Sequence, residues 1–301
     1  MQESNLKYYL QLHFIVFIWG FTAILGKLIS IEAIPLVWYR MLLASLFIAF
    51  YFVCKKQSFI LDKKSLLKFF LSGILIALHW ITFFKAIKVS NVSIALVTMS
   101  TGAFFTSFIE PFFFKRKIKP IEILLGLIVI GGLYIIFSFE SRYILGIFYA
   151  LISSFLSSLF SVLNGLFIRK NKASLISFYQ LFFGAICISF FLFFQGEFTA
   201  NFFLLESTDW LYLLILSSIC TAYAFIVSVN VMKHLTPYTV VLTVNLEPIY
   251  AIILALVIFG ESEEMNSEFY LGAFIILIVV LLNGIFKNKE IISNKVDKLQ
   301  Q

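Results

Sequence analysis

The sequence predicts an all-α membrane protein, with ten transmembrane helices in two inverted five-helix repeats. The first observation behind this is composition: of 301 residues 61% are hydrophobic and 13% charged, with 38 Phe, a balance no soluble globular core tolerates. The second is spacing, since apolar runs of about 18 to 24 residues, the length that crosses a roughly 30 Å hydrocarbon layer, recur through the whole chain. The third is an internal echo. The segment LTPYTVVLTVNLEPIYAIILALVIFGE near the end overlies an earlier one, VSNVSIALVTMSTGAFFTSFIEPFFFK, by one constant displacement. It places Val89-Ser90 on Leu235-Thr236, Ala95-Leu96 on Val241-Leu242 and Gly126 on Gly272.

Taken in order, the apolar runs predict spans over 11–29, 34–53, 66–84, 92–114, 120–138, 143–167, 174–194, 209–230, 237–259 and 269–286. The loops between them sort by charge. With the N-terminus placed inside, nearly all basic residues fall in inside loops: Lys55, Lys56, Lys63, Lys64 and Lys68, then Lys115, Arg116, Lys117 and Lys119, then Arg169, Lys170 and Lys172, then the tail lysines. Outside loops carry Glu197, Glu206 and Asp209, then Glu261, Glu263, Glu264 and Glu268. The positive-inside rule then predicts a multi-pass membrane protein with both termini cytoplasmic. No small-residue cleavage site follows MQESNLKYYL, so a removed signal peptide is not expected.

Five crossings is an odd number, so a duplicated half must run through the membrane upside down relative to the first. The expected units are residues 1–140, residues 141–290, and a solvated tail, 291–301. Inverted halves of this kind suit a secondary transporter, because two similar bundles can exchange conformations around one central site.

Four stretches carry a family resemblance: FIWGFTAILGK in the first span, PLVWYR entering the second, KAIKVSNVSIALV entering the fourth, and LTPYTVVLTVNLEPIYAIILALVIFGE in the ninth. On these the chain resembles the drug/metabolite transporter superfamily, EamA type, over nearly its whole length. The resemblance implies ten spans in two repeats and export of small metabolites across a bacterial inner membrane. One departure stands out. Thr101-Gly102 occupies the first-repeat position of Glu247-Pro248, where similar proteins carry proline in both repeats, so the two half-sites are not chemically equal.

Glu247 sits about eleven residues into its span, which at 1.5 Å per residue puts a carboxyl near the bilayer midplane, where ionisable groups are costly and usually face a cavity. The spacing i, i+4, i+7 places Thr243, Glu247 and Tyr250 on one helix face, and Pro248 frees a backbone carbonyl beside them. Arg40 is the one basic residue inside a span. It could clamp a substrate carboxylate or phosphate, snorkel outward, or tie to Glu247. Gln180 is its repeat counterpart, by WYRMLLAS against FYQLFFGA. Trp19, Trp80 and Tyr223 are candidate walls; Trp19 stands beside Gly20, where a backbone can approach closely. The stripe Ser153, Ser157, Ser161 and Gly165 reads as a close-packing surface.

No HExxH, GxSxG or phosphate-cradling loop occurs, the three histidines are scattered, and Cys54, Cys187 and Cys220 lack ligand spacing. No catalytic residue, cofactor or metal is therefore expected. The basic balance belongs to membrane topology rather than to nucleic acid. The expected partners are a small-molecule metabolite, membrane lipid and, as a candidate coupling ion, the proton. The predicted function is a secondary active exporter of small metabolites, amino acids or similar compounds, working by alternating access. The alternatives are an uncoupled facilitator and a non-transporting assembly subunit.

Overall fold

The computed structural model describes residues 2–115, 117, 120–279 and 281–282. Its helices in chain order are α1 (Gln2–Leu28), α2 (Ala33–Cys54), α3 (Lys63–Val89), α4 (Val92–Met99), α5 (Gly102–Phe114), α6 (Pro120–Phe139), α7 (Ile144–Phe167), α8 (Ala173–Phe194), the short α9 (Ala200–Phe203), α10 (Ser207–Ser217), α11 (Ala224–Val231), α12 (Pro237–Val244) and α13 (Glu247–Phe259). A last helix, α14, runs over Ser267–Val279. Among the described residues eight helical stretches are long and apolar enough to cross a membrane. Two of them, Val92–Phe114 and Pro237–Glu263, are pairs of half-helices, and Ser207–Val231 contains a π turn. The fifth and tenth expected spans are shorter apolar helices, Leu124–Phe139 and Ser267–Val279. The far end of the tenth span and the tail 291–301 lie outside the described residues.

The protein is a multi-pass, all-α membrane protein, and its surface shows why the chain needs lipid. Phe50, Phe112, Phe194 and Val257 are more than two-thirds exposed, while the buried side carries small and polar residues. Water would penalise such a belt, whereas lipid accepts it provided every backbone group finds a partner inside the protein.

Cross-bundle contacts sort the loops into two ends. One gathers residues 27–32, 90–93, 139, 202, 209 and 263–266, through pairs such as Ser30–Asp209, Lys27–Glu263 and Asn266–Phe139. We call it the acidic end. The other gathers the N-terminal part of α1 and the loops carrying Gln57, Phe59, Arg169 and His234, through Ser174–Gln57, Tyr179–Phe59 and the Tyr8–His234 stack. This is the basic end. At this end Asp62 caps α3, and hydrogen bonds from Ser65 hold its carboxyl below the usual range.

Packing is reciprocal between the two sets of five crossings. α3 lies against α8 as α10 lies against α2, α3 against α7 as α11 lies against α1, and α1 against α13 as α7 lies against α5. Glycines allow the closest of these approaches. A Cβ on Gly73 would stand 2.5 Å from the Gln180 carbonyl oxygen, and one on Gly184 would stand 2.9 Å from the Gly73 carbonyl oxygen. The same exchange occurs between α6 and α14, where Gly132 and Gly272 each face the other's carbonyl oxygen.

Because backbone cannot yield as a side-chain tip can, Gly73→Ala is expected to cost about 1–3 kcal/mol of overpacking. Gly131→Ala should be neutral, since nothing lies within 4 Å of its added Cβ. Melting temperatures of the two purified variants in detergent check this; equal values would mean that α3 and α8 are not held by backbone approach.

Candidate functional site

Two helix breaks and one π turn surround the centre of the bundle. Between α12 and α13 the helix stops at Asn245-Leu246, and Pro248, in the first turn of α13, has no N–H to bridge the gap. Glu247 thus sits in the first turn of a fresh helix, where the dipole favours a negative charge. The matching break in the first half lies between α4 and α5 and uses no proline. There Ser100 and Thr101 bond back to the Leu96 and Thr98 carbonyl oxygens at 3.2 and 2.8 Å. Two serines of α7 finish the arrangement: Ser154 donates to the Met99 oxygen at 3.1 Å and Ser158 to the Gly102 oxygen at 2.8 Å. Thr101-Gly102 therefore makes with hydroxyls the break that Glu247-Pro248 makes with an imide, and only the second break carries a charge.

Between these elements lies a cavity with about 110 Å³ of room for water centres. That is about ten times what one water needs. Its wall includes Trp19 and Thr22 of α1, Arg40 of α2, His79 and Trp80 of α3, Ser100 and Gly102 at the first break, Ser157, Ser161 and Asn164 of α7, and Asn245, Glu247 and Pro248 at the second. Both halves contribute. Asn164, Met232 and Val240 carry the wall toward the basic end, whereas the loops of the acidic end contribute nothing to it.

Arg40 is 2% exposed and closely held. Its Nε donates to Thr221 Oγ1 at 2.7 Å, and its guanidinium lies 3.8 Å above the Trp80 ring centroid and 5.5 Å from that of Phe84. Nη1 has no protein partner. Among the described residues Arg40 and Glu247 form no ion pair, so a guanidinium and a carboxyl face one cavity unpaired with each other. His79 adds a third polar group. Its Nδ1 lies 2.9 Å from the Ser153 carbonyl oxygen and 2.8 Å from Ser153 Oγ, an arrangement that fits a proton on Nδ1 and leaves Nε2 as the acceptor.

Of the residues singled out in the sequence, the structure brings Trp19, Arg40, Trp80 and Glu247 to the cavity. Trp19 is fixed there by donating Nε1 to the Cys220 carbonyl oxygen at 3.0 Å. The other four stand elsewhere. Gln180 is fully buried and bonds Ser72 Oγ at 2.8 Å and Asn164 Oδ1 at 2.7 Å, so it reaches the cavity only through Asn164. Tyr223 is 50% exposed on the outer face of the π turn. Thr243 bonds back to the Thr239 oxygen at 2.9 Å, and Tyr250 packs edge-on to Phe17 with centroids 5.8 Å apart. Thr243 leaves the expected common face with Glu247 and Tyr250 because helical spacing does not carry across a break at 245–246, whereas Tyr250, one turn after Glu247 in α13, is turned to Phe17 of α1. Sequence reading missed Thr221, Asn164, Asn245 and the cavity-facing serines; Ser157 and Ser161 belong to the stripe read as packing, of which Ser153, against His79, and Gly165, against Pro237, serve close approach.

The acidic end is closed by buried charge. Glu263, fully buried, accepts from Val92 N at 3.0 Å and from Ser93 N and Ser93 Oγ, both at 2.9 Å, while Lys27 Nζ meets it at 2.8 Å. A carboxylate from the second half thereby caps α4 of the first. Asp209 does the same for the α1–α2 loop, accepting from Ser30 N at 2.9 Å and from Ser30 Oγ at 2.5 Å. The exposed pair Lys85–Glu32, at 3.4 Å, adds little.

Comparison with known proteins agrees with this architecture. A protein of Clostridium kluyveri described as an uncharacterized transporter is 28% identical over 206 residues, covering 66% of this chain and 65% of its own length. The match thus spans slightly less than two-thirds of that relative. A solved crystal structure superposes with a TM-score of 0.67 over 92% of this chain and 98% of its own, at 14% identity, a likeness of fold alone. The model of the EamA-like transporter family matches twice, over residues 6–138 and 144–285. With two matches that together take in nearly the whole sequence, around a cavity to which both halves contribute, the chain belongs to the EamA-like transporter family.

Proposed function

We propose that this transporter is a secondary active exporter of small zwitterionic metabolites, amino acids or similar compounds, working by alternating access across the bacterial inner membrane with both termini cytoplasmic. The observation that carries the reading is that Arg40 and Glu247, an arginine and a carboxyl, line one cavity with no ion pair between them among the described residues. A zwitterion offers each its counter-charge and relieves the desolvation that both suffer. Trp19, Trp80 and the serines of α7 supply the remaining surface. The five-helix units 1–140 and 141–290 would rock around this site, with Gln180 setting Asn164 from behind.

The conformation fits a carrier caught facing the basic, cytoplasmic side. The Glu263 and Asp209 caps hold the acidic end shut, and the cavity extends the other way. Exporting a solute requires those caps to part, and each part of the cap that separates must find water in exchange. Protons are the proposed coupling ion, with Glu247 as the carboxyl that would exchange them.

Counterflow of radiolabelled amino acids in proteoliposomes tests the class, and no flux of any member of the panel would overturn it. Arg40→Lys keeps the charge but loses the planar fork, so uptake should fall about tenfold with normal membrane insertion, the worth of one charge-assisted hydrogen bond. Normal transport by Arg40→Ala would reduce Arg40 to a structural anchor.

Glu247→Gln keeps the shape and removes the exchangeable proton. It should abolish uptake driven by an imposed pH gradient and leave counterflow in place; a variant that keeps gradient-driven transport points to a facilitator.

Side of opening is tested by thiol labelling. In a background without Cys54, Cys187 and Cys220, Ser157→Cys should react with an impermeant reagent from the cytoplasmic side and not from outside. Adding Glu263→Gln, which presents an amide N–H₂ to the Val92 and Ser93 N–H donors and drops the Lys27 pair, should raise outside labelling several-fold. Labelling from outside in the single variant would reverse the assignment.

A further inference from the structure

The π turn Ser218–Tyr223 interrupts the eighth crossing with no proline or glycine in it. π turns are rare and often mark functional positions, because the extra residue pushes one side chain and one carbonyl out of the helical register. Here the displaced groups have identified partners. The Cys220 carbonyl oxygen accepts from Trp19 Nε1 at 3.0 Å, and Thr221 Oγ1 accepts from Arg40 Nε at 2.7 Å. Both partners come from the other half of the protein, and both stand in the cavity wall.

The direction of each bond at Thr221 is fixed. Its hydroxyl donates its only proton to the Leu216 carbonyl oxygen at 2.6 Å, five residues back, so toward Arg40 it can only accept. That acceptance uses up the Nε–H. A guanidinium can grip a two-oxygen anion side-on, through Nε and one amino group, or end-on, through both amino groups. With Nε bound to Thr221 the side-on mode is lost. Trp80 covers the group from one side, with Arg40 Cζ 3.8 Å above its ring centroid. One edge and one face are thereby held, and the end bearing Nη1 remains without a protein partner.

We propose that Thr221 is a positioning residue, which through the π turn holds the Arg40 guanidinium end-on to the carboxylate of the transported solute. The proposal rests on the transport reading above and names the chemistry of one half of its site: a planar, two-oxygen anion. Serine at 221 would preserve both bonds; cysteine would weaken them, and valine would keep the shape while removing both.

The test compares wild-type protein with Thr221→Ser, Thr221→Cys and Thr221→Val. Intrinsic tryptophan fluorescence, with Trp80 and Trp19 as reporters, reads binding of L-alanine, acetate and L-alaninamide, which lacks the carboxylate. Expected is a Kd for L-alanine and acetate within twofold of wild type in the serine variant, intermediate in cysteine, and about tenfold weaker in valine. The response to L-alaninamide should be equal across the series. Unchanged carboxylate binding in Thr221→Val overturns the positioning role while leaving the transport reading standing, as does an equal loss for L-alaninamide, which marks a general disturbance of the wall. Should Thr221→Val fail to fold, the serine-to-cysteine step decides: no difference between them overturns the proposal. Wild-type protein that answers to neither L-alanine nor acetate overturns it together with the zwitterion reading.

Discussion

Inside a hydrocarbon layer each backbone N–H and C=O must find its partner within the protein, and this constraint organises the rest of the molecule. An unbroken helix meets it by itself. A broken one needs help, and in this protein the helpers stand on α7 and α1, helices that also contribute to the cavity wall. Ser154 and Ser158 of α7 serve the carbonyl oxygens freed between α4 and α5, and Trp19 serves one freed by the π turn. Irregular backbone therefore occurs where side chains of the other half can reach it, and those same places supply polarity to the central cavity.

Buried charge is used in two distinct ways. At the acidic end, Glu263 is matched by a cation, two backbone N–H donors and a hydroxyl, so its desolvation is offset and it acts as a tie. At the centre, Arg40 is matched only in part and Glu247 forms no ion pair among the described residues. A site for a charged solute needs such incomplete satisfaction, because a guanidinium already saturated by protein partners would have nothing left to offer.

Much of the fold was legible in the sequence because lipid imposes long apolar runs and sorts loop charge, and both survive a one-dimensional reading. The site was legible in part. Arg40 and Glu247 declared themselves as charges within apolar runs, Trp19 as an aromatic at mid-span beside a glycine, and Trp80 as a candidate wall. Thr243 was misplaced because facing was inferred from uniform helical spacing, which fails across a break, and Tyr223, read as a wall from its aromatic ring, stands on the outer face of a π turn; Tyr250 packs on Phe17 instead. Proline beside Glu247 gave warning of the first failure. Nothing in SICTAY warned of the second, since its hydroxyls bond back to carbonyls in a way any mid-helix Ser or Thr can. The outside-loop acids were read only for their charge, and nothing in their spacing told that Asp209 and Glu263 are buried ties.

The constant displacement that superposes the two halves brings Glu263 onto Lys117, so the carboxylate that caps α4 has a lysine at the equivalent place in the first half. α12 begins instead on the hydroxyl of its own Thr236, which accepts from Thr239 N. The duplicated halves are thus matched in backbone and unmatched in fastening. Two copies of the first half joined in tandem would reproduce the crossings but put lysine at both places, and neither half-helix would receive an acid from across the bundle. The cap at Glu263 thus joins Arg40 against Gln180 and Thr101-Gly102 against Glu247-Pro248 among the places where the two halves, alike in backbone, are chemically unlike.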